Sequence, residues 1–151
     1  MLYDQSYNIF IIPVLVLILT RVIKFFVFYF RHNRDFGYTL RHAMSYGHMP
    51  SVHTALMISI VTSIGNYEGV NSGSFAVAVV LAILIIDDAT RLRVYLGDVG
   101  RYINMLSSKV GNLDEKEYPR LKERMGHRLN EVVAGGIIGF SLTTILIRIL
   151  G

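Results

Sequence analysis

Cysteine is absent from this 151-residue sequence, which excludes disulfide bonds and thiolate metal sites and leaves the redox compartment open. There is also no internal repeat and no low-complexity tract. The first apolar stretch follows an acidic rather than a basic start and lacks a small-residue cleavage site before Arg21. We therefore interpret it as a retained membrane span and not as a signal peptide.

Apolar residues make up 52% of the sequence, and the mean hydropathy of +0.45 is high for a soluble protein of this size. The net charge of +4 could indicate nucleic acid, but the basic residues lie between long apolar runs rather than along one soluble surface. A membrane partner fits this placement better, and no nucleic-acid partner is expected. The length predicts a single membrane-embedded domain over residues 1–151.

Four apolar segments are candidates for spanning helices, which need roughly 20 residues to cross the hydrocarbon layer. They lie at about residues 8–30, 52–65, 74–90 and 127–149. The second is short and is predicted to end at Gly65 as a C-cap, with its start in a protein-lined cavity below the membrane surface. In the fourth, Gly135 and Gly139 have the GxxxG spacing that lets a neighbouring backbone approach closely.

The segment between the third and fourth spans has the periodicity of an amphipathic helix, carried by Val99, Tyr102, Ile103, Leu106 and Val110. It is expected to lie along the membrane interface. Pro119 suits the first turn of a further short helix that ends near Gly126. The predicted fold class is thus an all-α integral membrane bundle of about four transmembrane helices with an interfacial amphipathic helix.

Most of the 15 Lys and Arg residues accompany the end of the first span or lie between the third and fourth spans, and none lies between the second and third. The positive-inside rule then predicts both termini outside and residues 31–51 and 91–127 in the cytoplasm. Lys and Arg residues that serve catalysis are included in this count, so part of their excess on one side can reflect chemistry rather than topology.

One motif capable of chemistry precedes the second span. Pro50 and Ser51 are typical helix-start residues, and a helix start presents free N–H groups and its positive dipole end to an anion such as phosphate. His53, one turn in, would face the same point. The alternative is a capped helix with an incidental histidine.

A second motif joins His127 and Glu131, four residues apart on one helical face at the start of the fourth span. The carboxylate can receive one imidazole N–H, fix the tautomer and leave the other nitrogen free to attack. Such a pair is often merely exposed on a surface. Here it enters a membrane helix, where ionisable residues are functional by default.

Cations form the third feature. Lys24 and Arg31 are two helical turns apart, and Arg93 follows the third span, although snorkelling or membrane anchoring would also account for them. Because the spans alternate in direction, all candidate residues are expected at one face of one bundle. They are Lys24, Arg31, Ser51, His53, Arg93, His127 and Glu131.

These residues resemble the motifs of the type-2 phosphatidic acid phosphatase and vanadium haloperoxidase superfamily, especially its small divergent bacterial branch. That superfamily has a Lys and an Arg separated by six residues, then Pro-Ser-x-His, an Arg, and His-x-x-x-Asp. The resemblance covers about residues 20 to 140 and is most specific over 47–55 and 126–139. The sequence departs from the superfamily pattern at His32 (usually Pro), Leu121 (usually Arg) and Glu131 (usually Asp). It departs from the divergent branch, which carries an Asp-Ala-x-Gly-Val-Arg-Arg run after its third helix, at Arg91 (usually Gly).

The resemblance implies metal-free hydrolysis of a lipid phosphate through a phosphohistidine, without a cofactor. His127 would attack phosphorus, Glu131 would orient it, and His53 would act as acid and then base. The phosphate would be bound by Lys24, Arg31, Arg93 and the helix start at Ser51. The implied partners are the lipid phosphate and the bilayer, with a homo-oligomer possible.

Three alternatives stay open. Asp87 and Asp88 would suit a metal-dependent lipid phosphotransferase, but after Asp98 the next acidic residue is Asp114, off the helix. The motif departures favour a catalytically inactive protein of the same fold that binds a phosphorylated lipid. A purely structural membrane protein would not explain why all seven candidate residues are expected at one face of the bundle. A cytoplasmic site would suit phosphatidylglycerophosphate or phosphatidate, whereas an outward-facing site would suit prenyl pyrophosphates.

Overall fold

A computed structural model describes residues 7–31, 36–37, 49–111, 118–123, 125–126 and 128–150. Within these ranges all regular structure is helical, as predicted from the sequence. The elements are α1 (Asn8–Arg31), α2 (Val52–Tyr67), α3 (Gly73–Asp87), a π-helical segment (Asp88–Leu92), α4 (Arg93–Val110) and α5 (Leu129–Leu150). Two of them, over Asn8–Phe30 and Leu129–Leu150, are long and apolar enough to cross a membrane by length and composition.

The core of the bundle is formed by α1, α2 and α5, each of which buries one row of residues spaced by four. Rows spaced by four are the ridges that commonly interdigitate when helices pack. The rows are Asn8, Ile12, Val16 and Thr20 on α1; Ser51, Ala55, Ser59 and Ser63 at the cap and along α2; and Glu131, Gly135, Gly139 and Thr143 on α5. Small and hydroxylated side chains dominate two of these rows, so the helices lie close together.

Successive contacts show that α2 and α5 are parallel. A Cβ added at Gly135 would collide with the carbonyl of Ser51, and one added at Gly139 would lie 2.7 Å from the Cα of Ala55. One turn further along, the Thr143 hydroxyl donates to the Ser59 hydroxyl at 2.7 Å. The close approach predicted from the GxxxG spacing is therefore confirmed.

The first helix runs in the opposite direction. The Asn8 side-chain amide donates to the carbonyl of Leu150 at 3.2 Å, which joins the start of α1 to the end of α5. Consequently the C-terminal end of α1 and the N-terminal ends of α2 and α5 lie together at one end of the bundle.

The third span does not stop at its acidic residues as expected from the sequence. The chain continues from α3 through the π-helical segment into α4 without a break, and the backbone N–H of Arg93 donates to the carbonyl of Asp88. One long helix from Gly73 to Val110 thus joins the predicted span to the predicted amphipathic helix. Short π-helical insertions of this kind often mark functional sites.

Two local predictions are wrong. Gly65 lies inside α2 against the ring of Phe75. The helix ends at Tyr67, with Glu68 as its C-cap, before Gly69 with a φ of 88°. The described residues of the predicted helix from Pro119 to Gly126 are not helical.

The segment after Pro119 is held by Asn104 of α4 instead of forming its own helix. The Asn104 amide donates to the carbonyl of Leu121 and to Glu123 Oε1, both at 2.9 Å, and its oxygen accepts the Leu121 N–H at 3.0 Å. Gly97 and Gly100 allow this segment's backbone to approach α4 directly.

Candidate active site

The start of α2 is fixed to the start of α5. Ser51 is fully buried, and its hydroxyl accepts the hydroxyl of Thr54 at 2.9 Å and the backbone N–H of Thr54 at 3.4 Å. Its own backbone N–H donates to the carbonyl of Glu131 at 3.1 Å. Ser51 therefore acts in the site by forming and anchoring a helix N-terminus, which favours anions.

The start of α5 is closed by half of a capping box. Glu131 is buried, and its Oε2 accepts the backbone N–H of Arg128, three residues earlier, at 3.2 Å. The same carboxylate lies within electrostatic range of the Lys24 ammonium on α1. Glu131 therefore stabilises the helix start and also places a negative charge inside the cluster of predicted site residues.

Histidine and cations meet beside this carboxylate. Lys24 is half-buried and continues the buried row of α1 one turn beyond Thr20. His53, on the exposed side of α2, lies within electrostatic range of Arg93, Lys24 and Arg21. Positive charges from α1 and from the start of α4 thus act on one imidazole.

Arg93 is oriented by an acidic residue of the π-helical segment. Its Nε donates to Asp88 Oδ2 at 2.7 Å, in a pair that is half-exposed on both sides. The neighbouring Asp87 pairs with Arg91 at 3.5 Å and is more exposed. Both aspartates considered for a metal site therefore face arginines, and no three His, Asp or Glu side chains cluster within the described parts of the chain.

Five of the seven predicted site residues come together at this end of the bundle. They are Lys24, Ser51, His53, Arg93 and Glu131. His127 lies outside the described residues. Arg31 is the last residue of α1, but the position of its side chain also lies outside the description.

Two features of the site were not anticipated from the sequence. A cleft of about 410 Å³ opens beside Glu131 and is lined by Val94, Asp98, Arg101, Glu123, Met125, Gly126, Arg128 and Glu131. No motif in the sequence marks the polar residues of this cleft. They come together only because the Leu121–Glu123 segment packs onto α4. Arg21 is the second feature, and its position inside an apolar span three residues before Lys24 was an available signal.

The profile of the Divergent PAP2 family matches residues 5–142. The chain belongs to the Divergent PAP2 family. A Divergent PAP2 assignment agrees with the superfamily resemblance found in the motifs, and the matched region contains all seven predicted site residues.

A bacterial protein supports the membrane assignment of this Divergent PAP2 chain. This chain is 33% identical to "Uncharacterized membrane protein YuiD" of Bacillus subtilis (strain 168) over 113 residues, which are 68% of this chain and 72% of that protein. No solved structure matches the chain. The predictions of a helical membrane protein and of a divergent branch of the superfamily are therefore confirmed.

Proposed function

We propose that this protein is a membrane lipid-phosphate phosphatase that works without a metal ion, through a phosphohistidine intermediate. The observation that carries the proposal is the meeting of Lys24, His53, Arg93 and the buried Glu131 at one end of an apolar bundle. A phosphomonoester is the anionic group that such a cluster suits. The bilayer around the apolar helices supplies a lipid as its carrier.

Binding of the phosphate rests on fixed positive charge. Lys24 and Arg93 approach His53 from different helices, and the N-terminus of α2 adds its dipole and free N–H groups. Phosphoryl transfer depends mainly on positioning and on neutralising the equatorial oxygens. Arg31 lies seven residues after Lys24, and its match to the Lys–Arg motif of the superfamily assigns it to the same phosphate-binding residues.

The reaction has two in-line steps. In the first, a nitrogen of His127 bonds to phosphorus, the bond from phosphorus to the lipid oxygen breaks, and His53 protonates the departing alkoxide. In the second, His53 takes a proton from water as the water oxygen bonds to phosphorus, and the phosphorus–nitrogen bond breaks. Inorganic phosphate leaves and both imidazoles return to their starting state.

The direct test is phosphate release from lipid phosphates by the purified protein in detergent with EDTA. The wild type is expected to turn over many times, and His127→Ala and His53→Ala to lose about 10²-fold or more, the usual contribution of acid–base and nucleophilic groups. His42→Ala, a histidine outside the site motifs, is the matched control and should keep full activity. An active His127→Ala protein would refute the nucleophile assignment.

A second readout isolates the intermediate. An aryl phosphate has a leaving group that needs no proton, so His53→Ala should still complete the first step and then stall. The labelled protein should accumulate a phosphate bond that is acid-labile and base-stable, as expected of phosphohistidine. The double variant lacking both histidines should not be labelled.

The competing function is binding of a phosphorylated lipid without hydrolysis. It is favoured by Leu121, which stands where the superfamily usually has an arginine and whose backbone is tied to Asn104. In that case the wild type would bind the lipid phosphates and release no phosphate from any of them.

A further inference from the structure

Residues 118–126, which we call the strap, cross one face of α4 before α5 begins. Residues 118–123 are exposed, so this part of the strap buries little apolar surface of its own. The Asn104 side chain attaches it to α4 by three hydrogen bonds, to the N–H and carbonyl of Leu121 and to Glu123 Oε1. The position of the strap therefore depends on polar contacts more than on hydrophobic packing.

The strap follows a row of α4 residues that leads toward the candidate active site. Residues at successive intervals of four, three and four share one helical face, and in α4 this row is Arg93, Gly97, Gly100 and Asn104. A Cβ added at Gly100 would lie 2.7 Å from the carbonyl oxygen of Lys122. One added at Gly97 would lie 2.8 Å from the carbonyl oxygen of Glu123. The two glycines thus bring the strap into direct contact with the helix backbone.

The strap ends against the turn of helix that carries Arg93. Gly126 is buried and has a φ of 96°, which favours glycine. A Cβ added there would lie 2.9 Å from both the Ala89 carbonyl oxygen and the Val94 backbone nitrogen. Ala89 belongs to the π-helical segment, and Val94 directly follows Arg93 in the sequence. The end of the strap is therefore seated beside the arginine that we propose binds phosphate.

The proposed nucleophile comes next in the chain. His127 directly follows Gly126 in the sequence, and the N–H of Arg128 is held by the buried Glu131. The strap fixes the chain before the nucleophile, and the cap of α5 fixes the chain after it. Because consecutive Cα atoms are only about 3.8 Å apart, a shift of the strap along α4 would move this part of the chain relative to Arg93.

We propose that Asn104 is a positioning residue of the phosphatase reaction. It sets the register of the strap on α4 and thereby the place of the proposed nucleophile relative to Arg93. The inference rests on the proposed phosphatase function and adds to it a residue remote from the phosphate. Asn104 lies eleven residues after Arg93, roughly 16 Å along the helix axis, so it acts through the backbone of the strap.

An amide side chain is suited to setting a register because it carries both a donor and an acceptor. The Asn104 nitrogen and oxygen pair with the carbonyl and the N–H of one residue, Leu121, at 2.9 and 3.0 Å, as a residue of a neighbouring strand would. A strap shifted by one residue would break both bonds and the contact with Glu123. Precise register matters, because a displacement of about 1 Å between reacting groups can cost about 10²-fold in rate.

The experiment compares Asn104→Ala with Ser108→Ala, a matched control one turn further along α4. Each variant loses an exposed hydrogen bond to a backbone carbonyl, but Ser108 bonds to Met105 of its own helix. Asn104→Ala is expected to lower kcat for a lipid phosphate about 10- to 100-fold, because the reacting groups are displaced. KM should stay within about twofold, since the contacts that bind the substrate are kept. Ser108→Ala should match the wild type in both.

Hydrogen exchange reports on the strap itself. Amides of residues 118–126 should exchange faster in Asn104→Ala than in the wild type or in Ser108→Ala, because the Leu121 N–H loses its acceptor. Amides of α2 and α5 should keep their protection, which shows that the variant is folded. A loss of kcat with unchanged exchange in the strap would overturn the inference.

A second variant keeps the test decisive if Asn104→Ala unfolds. Asn104→Asp retains an acceptor for the Leu121 N–H but loses the donors and sets a carboxylate against Glu123. Adding Glu123→Gln supplies an amide that donates to the new carboxylate. The double variant should recover kcat relative to Asn104→Asp, by more than Glu123→Gln changes kcat in the wild type. Absence of this recovery contradicts the positioning role.

The outcomes separate this inference from the function on which it rests. A wild type that releases no phosphate from any lipid overturns the phosphatase function and the inference together. Full kcat in Asn104→Ala, with faster exchange in the strap, overturns the inference alone, because the register of the strap would then not matter for the reaction. A rise in KM in place of a fall in kcat also overturns it, since Asn104 would then serve substrate binding.

Discussion

At the scale of single residues, Glu131 has two separable tasks. Its carboxylate accepts the Arg128 N–H and so closes the first turn of α5, and its charge lies within reach of Lys24. Glutamine keeps an oxygen that can accept the same N–H but removes the charge. Alanine removes both, so the two substitutions distinguish helix capping from catalysis.

We expect Glu131→Gln to lower phosphatase activity about 10²-fold or more, because the imidazole that it is proposed to orient would lose its correct tautomer and its catalytic contribution. Its thermal unfolding in detergent should match that of the wild type. Glu131→Ala should lose the same activity and about 1 kcal/mol of stability, because the cap is also lost. Full activity in Glu131→Gln would restrict this residue to a structural role.

Arg93 depends on one aspartate and not on its neighbour. Asp88 holds the Arg93 Nε at 2.7 Å, whereas Asp87 forms a longer and more exposed pair with Arg91. Asp88→Asn should therefore disorder the guanidinium that we propose binds phosphate and lower kcat/KM for a lipid phosphate about tenfold, since hydrogen bonds to charged groups contribute about 1.5–3 kcal/mol. Asp87→Asn is the matched control, and an equal loss in both variants would contradict the positioning role of Asp88.

At the scale of helices, the site depends on how closely α2 and α5 pack. A Cβ at Gly135 would collide with the carbonyl of Ser51, the N-cap residue of α2. A Cβ at Gly136 would meet its nearest neighbours at 3.9 Å. Gly135→Ala should separate the two helix starts, lower stability by about 1–3 kcal/mol and reduce activity. Gly136→Ala should unfold and react like the wild type.

Thermal unfolding in detergent and phosphate release measure both variants. If Gly135→Ala left unfolding and activity unchanged, the backbone contact between the two helix starts would not be what holds the site. If Gly136→Ala were damaged to the same extent, the effect would belong to any added methyl group on this face of α5.

The helical bundle could be predicted because its signals are local or periodic. Apolar length marks the spans, Ser51 marks a helix start, and Gly135 with Gly139 marks a close contact. The direction of each span then follows from the alternation of the chain across the membrane. This reasoning also places Lys24 and Glu131 at one end, where the structure has them.

Other features depend on geometry that the sequence does not display. In an α-helix, side chains three and four residues apart are neighbours, so a pair five residues apart such as Asp88 and Arg93 is not expected to meet. The wider π-helical turn between them brings them together. The segment after Pro119 looked helical, but the amide of Asn104, which is distant in sequence, binds its backbone instead.

At the scale of the whole molecule, the end of the bundle that carries the site is distinct from the end that carries the turn between α2 and α3. That turn contains no Lys or Arg, whereas the chain around the site is rich in both. The positive-inside rule therefore predicts a cytoplasmic site, and this side of the membrane is a proposal. Since some of these cations serve the proposed chemistry, the orientation needs a measurement that does not depend on charge.

The absence of cysteine makes that measurement clean, because single cysteines can be introduced without background. Val70 lies exposed in the turn between α2 and α3, and Tyr118 lies exposed in the segment beside α4. A membrane-impermeant maleimide should label Val70→Cys in intact cells and Tyr118→Cys only after permeabilisation. Labelling of Tyr118→Cys alone in intact cells would instead place the site outside, where it would act on lipid phosphates of the outer leaflet.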